Sequence, residues 1–282
     1  MTTPTATAKE TAAAGHTHAI GDGVSATAGT YTLEVLAVPA AKSEGQLSFK
    51  ITDGGANLTD FLELHTKKLH LIAVSEDLSD FIHAHPEMSA DGVWDVSLTL
   101  PEGGKWRIYT DFGTTTVPNG VILGSVIDVP GASTLTPLEA PAATFSSEGF
   151  DFIVSGQISA TSHGMLMISV TKDGKNVEFE DYLGASGHLV AIREEDGAYA
   201  HFHPQGHDHG SMLPATEVDG STATTNSNDM EMGAGMGSSS MMSMPGMIHF
   251  DTEVPGAGKY RLFLQFMAEG ELHQVAFTAD VA

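Results

Sequence analysis

The chain has 282 residues, enough for one large domain or two ordinary ones, and its 41% hydrophobic content excludes wholesale disorder. Its 36 Asp+Glu against 12 Lys+Arg give a net charge of −24, which repels phosphate backbones and anionic membrane surfaces, so nucleic acid is not an expected partner. Cysteine is absent while His (14) and Met (13) are plentiful; thiolate zinc, iron–sulfur and cysteine-nucleophile chemistry are thereby excluded, and imidazole and thioether remain as metal donors.

Residues 1–28 are rich in Thr, Ala and Gly and read as a flexible N-terminal tether. They show no charged region followed by an apolar one, so no signal peptide is visible. No stretch approaches the roughly 18 apolar residues of a transmembrane segment. Both a cytosolic protein and a mature exported form fit, and the tether favours an extracellular or cell-envelope location. From residue 29 short strands follow. Tyr31–Leu36, Gln46–Ile51, His70–Val74 and Trp94–Leu100 are β-branched or alternating, and Gly, Pro, Asp and Asn separate them. No window carries a sustained helical period.

An internal duplication organises the chain. His70, His83, His85 and Pro86 recur as His188, His201, His203 and Pro204, each 118 positions later. The segment Leu100–Phe112 recurs as Val254–Phe266 at an offset of 154, so the second copy carries an insertion of 36 residues. The expected fold is all-β: two tandem immunoglobulin-like β-sandwich domains, with a cupredoxin-like sandwich as the alternative. The first repeat is placed at 29–129, a linker at 130–146, and the second repeat at 147–282 with a Met/His-rich insertion at about 205–247.

Residues i and i+2 of a strand share a face, so His83 and His85 project together, as do His201 and His203. His70 and His188 each stand 13 residues upstream, where a strand and its return can bring them beside the pair. Three neutral imidazoles suit Cu(II), Zn(II) or Ni(II) with a coordination position left open. His65 is a further candidate in the first copy, its counterpart being Leu183. Against this stands the bland alternative of a hydrogen-bonded His cluster at a sandwich corner. In the second copy His163, His249 and His273 are further candidates, more commonly surface or core residues.

In the insertion, His207 and His209 precede Met230, Met232, Met236, Met241, Met242, Met244 and Met247, seven Met within 18 residues and spaced by Gly, Ser and acids. That spacing does not suit core packing. Thioether sulfur prefers Cu(I), and imidazole with carboxylate serves Cu(II). The alternative is a low-complexity linker.

Leu64–Val74, the HAHP of 83–86 and Pro101–Phe112 resemble the first half of secreted bacterial heavy-metal-binding-domain proteins of actinobacterial type. Asp181–Ile192, the HFHP of 201–204 and Gly258–Phe266 resemble their second half. The resemblance spans roughly 30 to 282 outside the insertion and implies envelope location, sandwich repeats and metal binding. The insertion is similar in chemistry to the methionine motifs of copper-resistance proteins. The expected function is sequestration or transfer of copper, with a copper-transport or copper-accepting protein as partner and zinc as the alternative ion at the His clusters. Two other classes stand beside it: a structural or adhesive pair of sandwiches with a pH-sensitive His cluster, and a metal-dependent enzyme. Catalysis is not expected, because no general base is identifiable in both copies.

Overall fold

The computed structural model describes residues 19–204 and 245–282. Among them the chain is all-β, without helix. It divides into two compact units: Met1–Ala140 with Ile192–Ala200 and Gly258–Arg261, and Pro141–Ala191 with His201–Ala257 and Leu262–Ala282.

The first repeat contains β1 (Thr27–Ala28), β2 (Tyr31–Ala37), β3 (Glu44–Asp53), β4 (Ala56–Asn57), β5 (His70–Ser75), β6 (Phe81–Ala84), β7 (Glu87–Met88), β8 (Val93–Thr99), β9 (Gly104–Phe112) and β10 (Val121–Val129). One sheet runs β1-β2-β3-β8-β7 with β4 on β3, and the other runs β10-β9-β5-β6. The alternation seen in the sequence is the burial pattern: Leu47, Phe49 and Ile51 of β3 and Trp106, Ile108 and Phe112 of β9 are buried in one core. Phe49 stacks on Trp94, ring centroids 6.4 Å apart, while Phe61 meets Trp94 edge-on at 4.9 Å. All six residues of β5 are buried, so this strand is covered on both faces and reads as an unbroken apolar run after His70.

The second repeat contains β11 (Thr144–Ser147), β12 (Phe150–Gly156), β13 (Gly164–Lys172), β14 (Lys175–Asn176), β15 (His188–Arg193), β16 (Tyr199–Phe202), β17 (Met247–Thr252), β18 (Gly258–Ala268) and β19 (Glu271–Val281). Its sheets run β11-β12-β13-β14 with β17 on β13, and β16-β15-β18-β19. Phe150 and Phe152 pack on Phe266 at 5.5 and 6.1 Å. Each repeat is thus an immunoglobulin-like sandwich, as the strand spacing predicts. The same turn chemistry recurs: Gly54 and Gly55 reverse the chain with positive φ between β3 and β4, and Asp173 and Gly174 do so between β13 and β14.

Two boundaries differ from the sequence expectation. Residues 20–28, placed in the tether, are bonded to the first sandwich: the Ile20 amide donates to the Gly120 carbonyl (3.0 Å) and the Gly124 amide to the Ser25 carbonyl (2.8 Å). Gly124 makes this approach possible, because a Cβ there would lie 1.7 Å from the Gly23 carbonyl oxygen. Residues 144–146, placed in the linker, form β11 and pair with β12. Both segments are too polar or too short to show a strand period; backbone hydrogen bonds to residues about 100 positions away hold 20–28, and a two-residue turn at Glu148 and Gly149, both at positive φ, folds β11 onto β12. No helix among the described residues is long and apolar enough to cross a membrane.

Candidate metal centres

In the first repeat the β5–β6 hairpin pairs Leu71 with Ala84 and Ile72 with His83. Continued by one pair, that register sets His70 opposite His85, with His83 diagonal on the same face. The three imidazoles converge. His70 Nδ1 lies 3.0 Å from His83 Nε2 and 3.3 Å from His85 Nε2. The ring centroids are 5.3, 5.0 and 4.8 Å apart for the 70–83, 70–85 and 83–85 pairs.

The second repeat reproduces this. His188 Nδ1 lies 3.3 Å from His201 Nε2, and the 188–201, 188–203 and 201–203 centroids are 5.5, 4.9 and 4.4 Å apart. In each triad one ligand nitrogen per residue lies within 4.8 Å of the others. Around an ion bound at about 2.05 Å, neighbouring nitrogens stand roughly 2.9 Å apart in a square site and 3.3 Å in a tetrahedral one. The 70–83, 70–85 and 188–201 nitrogen spacings fall in that range.

A backbone carbonyl orients the anchoring ring in both copies. Leu64 and Lys67 close a tight turn through His65 and Thr66, both at positive φ. The turn aims the Leu64 carbonyl at His70, whose Nε2–H donates to it at 3.1 Å. Tyr182, Leu183, Gly184 and Ala185 form the same turn, and His188 Nε2–H donates to the Tyr182 carbonyl at 3.0 Å. A carbonyl only accepts, so Nε2 carries the proton and Nδ1 keeps its lone pair towards the other two rings. His70 is 2% exposed and His188 1%, whereas the four partner rings are half-buried. Burial is the largest influence on His70 and lowers its pKa below the usual imidazole value; the Leu64 hydrogen bond opposes this and Lys67 adds to it.

Other candidates are placed differently. His65 stands beside the first triad, its ring 6.1 Å from that of His70, but is not among the converging nitrogens. His163 faces Glu253 at 3.6 Å, and His273 is held by Glu148 at 3.1 Å and packs on Phe266. His207, His209, Met230, Met232, Met236, Met241, Met242 and Met244 lie outside the described residues. Met247 opens β17.

One neighbour of the first triad belongs to no sequence motif. Asp111 of β9 is the direct cross-strand partner of His70, so both side chains rise from one face. It keeps some solvent access, yet burial pushes its carboxyl up to about 7. By the 154 offset its counterpart is Gln265, which donates from Nε2 to Gln274 Oε1 at 2.9 Å. The two triads therefore differ in neighbouring charge. The aligned pair Asp111-Phe112 and Gln265-Phe266 carried this in the sequence, but only the β5–β9 register connects it to a histidine.

Fold and geometry together define a tandem β-sandwich protein in which each repeat carries a three-imidazole cluster able to hold a metal ion. The chain belongs to the family described as a domain of unknown function, DUF8832, which matches residues 25–119 and 144–282. No curated protein matches the sequence. Among solved structures, a putative membrane-anchored protein from Corynebacterium diphtheriae is similar at 8% identity and a TM-score of 0.24, over 90% of this chain and 57% of that one. The BSP domain of a biofilm-associated protein matches at 10% identity and a TM-score of 0.24, over 90% of this chain and 30% of that one. A titin A168–A169 structure matches at 11% identity and a TM-score of 0.21, over 88% and 96% of the two chains. The chain thus spans just over half of the first of these and under a third of the second.

Proposed function

We propose that this is an exported copper-binding protein that sequesters copper or hands it to a copper-accepting protein, with His70, His83 and His85 holding one ion and His188, His201 and His203 another. The supporting observation is the fixed tautomer of the anchoring ring: both His70 and His188 spend Nε2–H on a carbonyl and turn a lone pair into the cluster. Zinc fits the same donors, and copper is preferred because the insertion supplies seven methionines, soft donors suited to Cu(I). In this proposal His207, His209 and the methionines from Met230 to Met247 collect the ion, and His65 adjoins the first site. An extracellular or envelope setting accords with the composition of residues 1–28. The role is binding rather than catalysis. Titration calorimetry with Cu(II) should show two sites, one lost in H70A/H83A and the other in H188A/H201A; absence of binding tighter than micromolar would end this proposal.

A structural or adhesive role has one observation of its own. His70 Nδ1 lies within hydrogen-bond distance of both partner Nε2 atoms, so the neutral triad can close as a cluster without an ion. A thermal midpoint that moves with pH but not with copper or zinc would favour this role.

A further inference from the structure

The duplication supplies an internal control for the outer face of the β13–β17 pair. In sequence, Gly45–Thr52 aligns with Gly164–Thr171, and Gly92–Ser97 with Gly246–Asp251. The strand pairing agrees position by position: Phe49 faces Trp94 where Ile168 faces Ile248, and Ser48 faces Asp95 where Met167 faces His249. The inward residues stay apolar in both copies. The outward ones change character. The first repeat shows Gln46 opposite Ser97, Ser48 opposite Asp95 and Lys50 opposite Val93. The second shows Met165 opposite Asp251, Met167 opposite His249 and Ser169 opposite Met247.

We infer that Met165, Met167, Met247 and His249 form a site for a soft monovalent ion, Cu(I) or Ag(I), on this face. His249 has Met167 directly across, Met247 two residues before it on its own strand, and Met165 on the diagonal, all on one face. Cross-strand neighbours stand about 5 Å apart at Cβ and diagonal ones about 7 Å, a span that unbranched Met side chains cover. The imidazole is half-buried, and its Nε2 is enclosed without a hydrogen-bond partner among the described residues. A buried polar nitrogen ordinarily has a partner, so this one is a donor atom awaiting an acceptor of its lone pair or its proton. Three neutral thioethers around it select against hard and borderline ions and for Cu(I) or Ag(I). Replacement of Lys50 by Ser169 removes the one cationic side chain that this face carries in the first repeat, and Asp251 brings a carboxylate instead. The site shares an ion class with the proposed copper function but none of the six triad residues, so each can fail alone.

The test uses the full chain labelled with 13C in its methionine methyl groups and titrated with Ag(I), a redox-inert probe. The methyl signals of Met165, Met167 and Met247, assigned by single Met→Leu variants, should shift together in slow exchange within the first equivalents. The variant M165Q/M167S/H249D, which installs the first-repeat residues, should bind one equivalent less Ag(I) while its Zn(II) uptake, reporting the triads, stays unchanged. Unmoved signals for these three methyls while others respond, or wild-type Ag(I) stoichiometry in the variant, would overturn the inference. Should the variant not fold, the methyl signals of the wild type decide alone.

Discussion

His70 and Asp111 face one another across β5 and β9, so the first triad has a carboxylate beside its anchoring ring where the second has the amide of Gln265. Asp111 sets an alkaline limit on stability through its burial. Asp111 has a carboxyl raised by burial to about 7, far above its value in the unfolded chain. The stability associated with the neutral form is full below the unfolded value and lost as pH rises through about 7. Full conversion of the shift would be about 4 kcal/mol, and partial solvent access reduces it to roughly 2 kcal/mol. Asp111→Asn should therefore raise stability at pH 8 by about 2 kcal/mol and leave it little changed at pH 4, measured by urea unfolding. Loading with Zn(II) should shrink the gain, because a cation in the triad favours the ionised carboxylate.

Acid acts in the opposite sense on His70. Its folded pKa lies below the unfolded value, chiefly through burial, so stability is full above about 6.5 and declines as pH falls from there through the lowered folded value. His70→Gln should flatten this acid limb in metal-free protein. A limb of the same steepness in the variant would show that other groups govern it.

Metal binding should appear as thermal stabilisation. An ion that binds only the native state at a hundredfold excess over its dissociation constant adds about 2.7 kcal/mol. Cu(II) or Zn(II) should raise the midpoint of the wild type, raise it less in H83A/H85A, and not at all when His201 and His203 are also replaced by Ala. His65→Ala should leave the number of bound ions unchanged, since His65 is outside the group of converging nitrogens.

Gly124→Ala tests the docking of residues 20–28. The new Cβ would meet the Gly23 carbonyl oxygen at 1.7 Å, so the segment or β10 must shift. The expected cost is on the order of 2 kcal/mol, with faster amide exchange at Ile122 and Gly124, whose amides bond to Ile20 and Ser25.

The duplication, the strand character and the His-x-His pairs were all legible in the sequence, because β alternation is a local property and two copies of one pattern confirm each other. That a strand and its return could bring three histidines of each repeat together is readable from spacing, although His85 and His203 stand one residue beyond β6 and β16. Their convergence is not readable there: it requires the register that sets His70 beside His83 and His85, and the turn that points the Leu64 carbonyl at Nε2. Asp111 and the face formed by Met165, Met167, Met247 and His249 were likewise decided only by tertiary pairing. Partners in a sheet are far apart in the chain, and a shift of one residue would turn every one of these side chains to the opposite face, so no local pattern of residues identifies them.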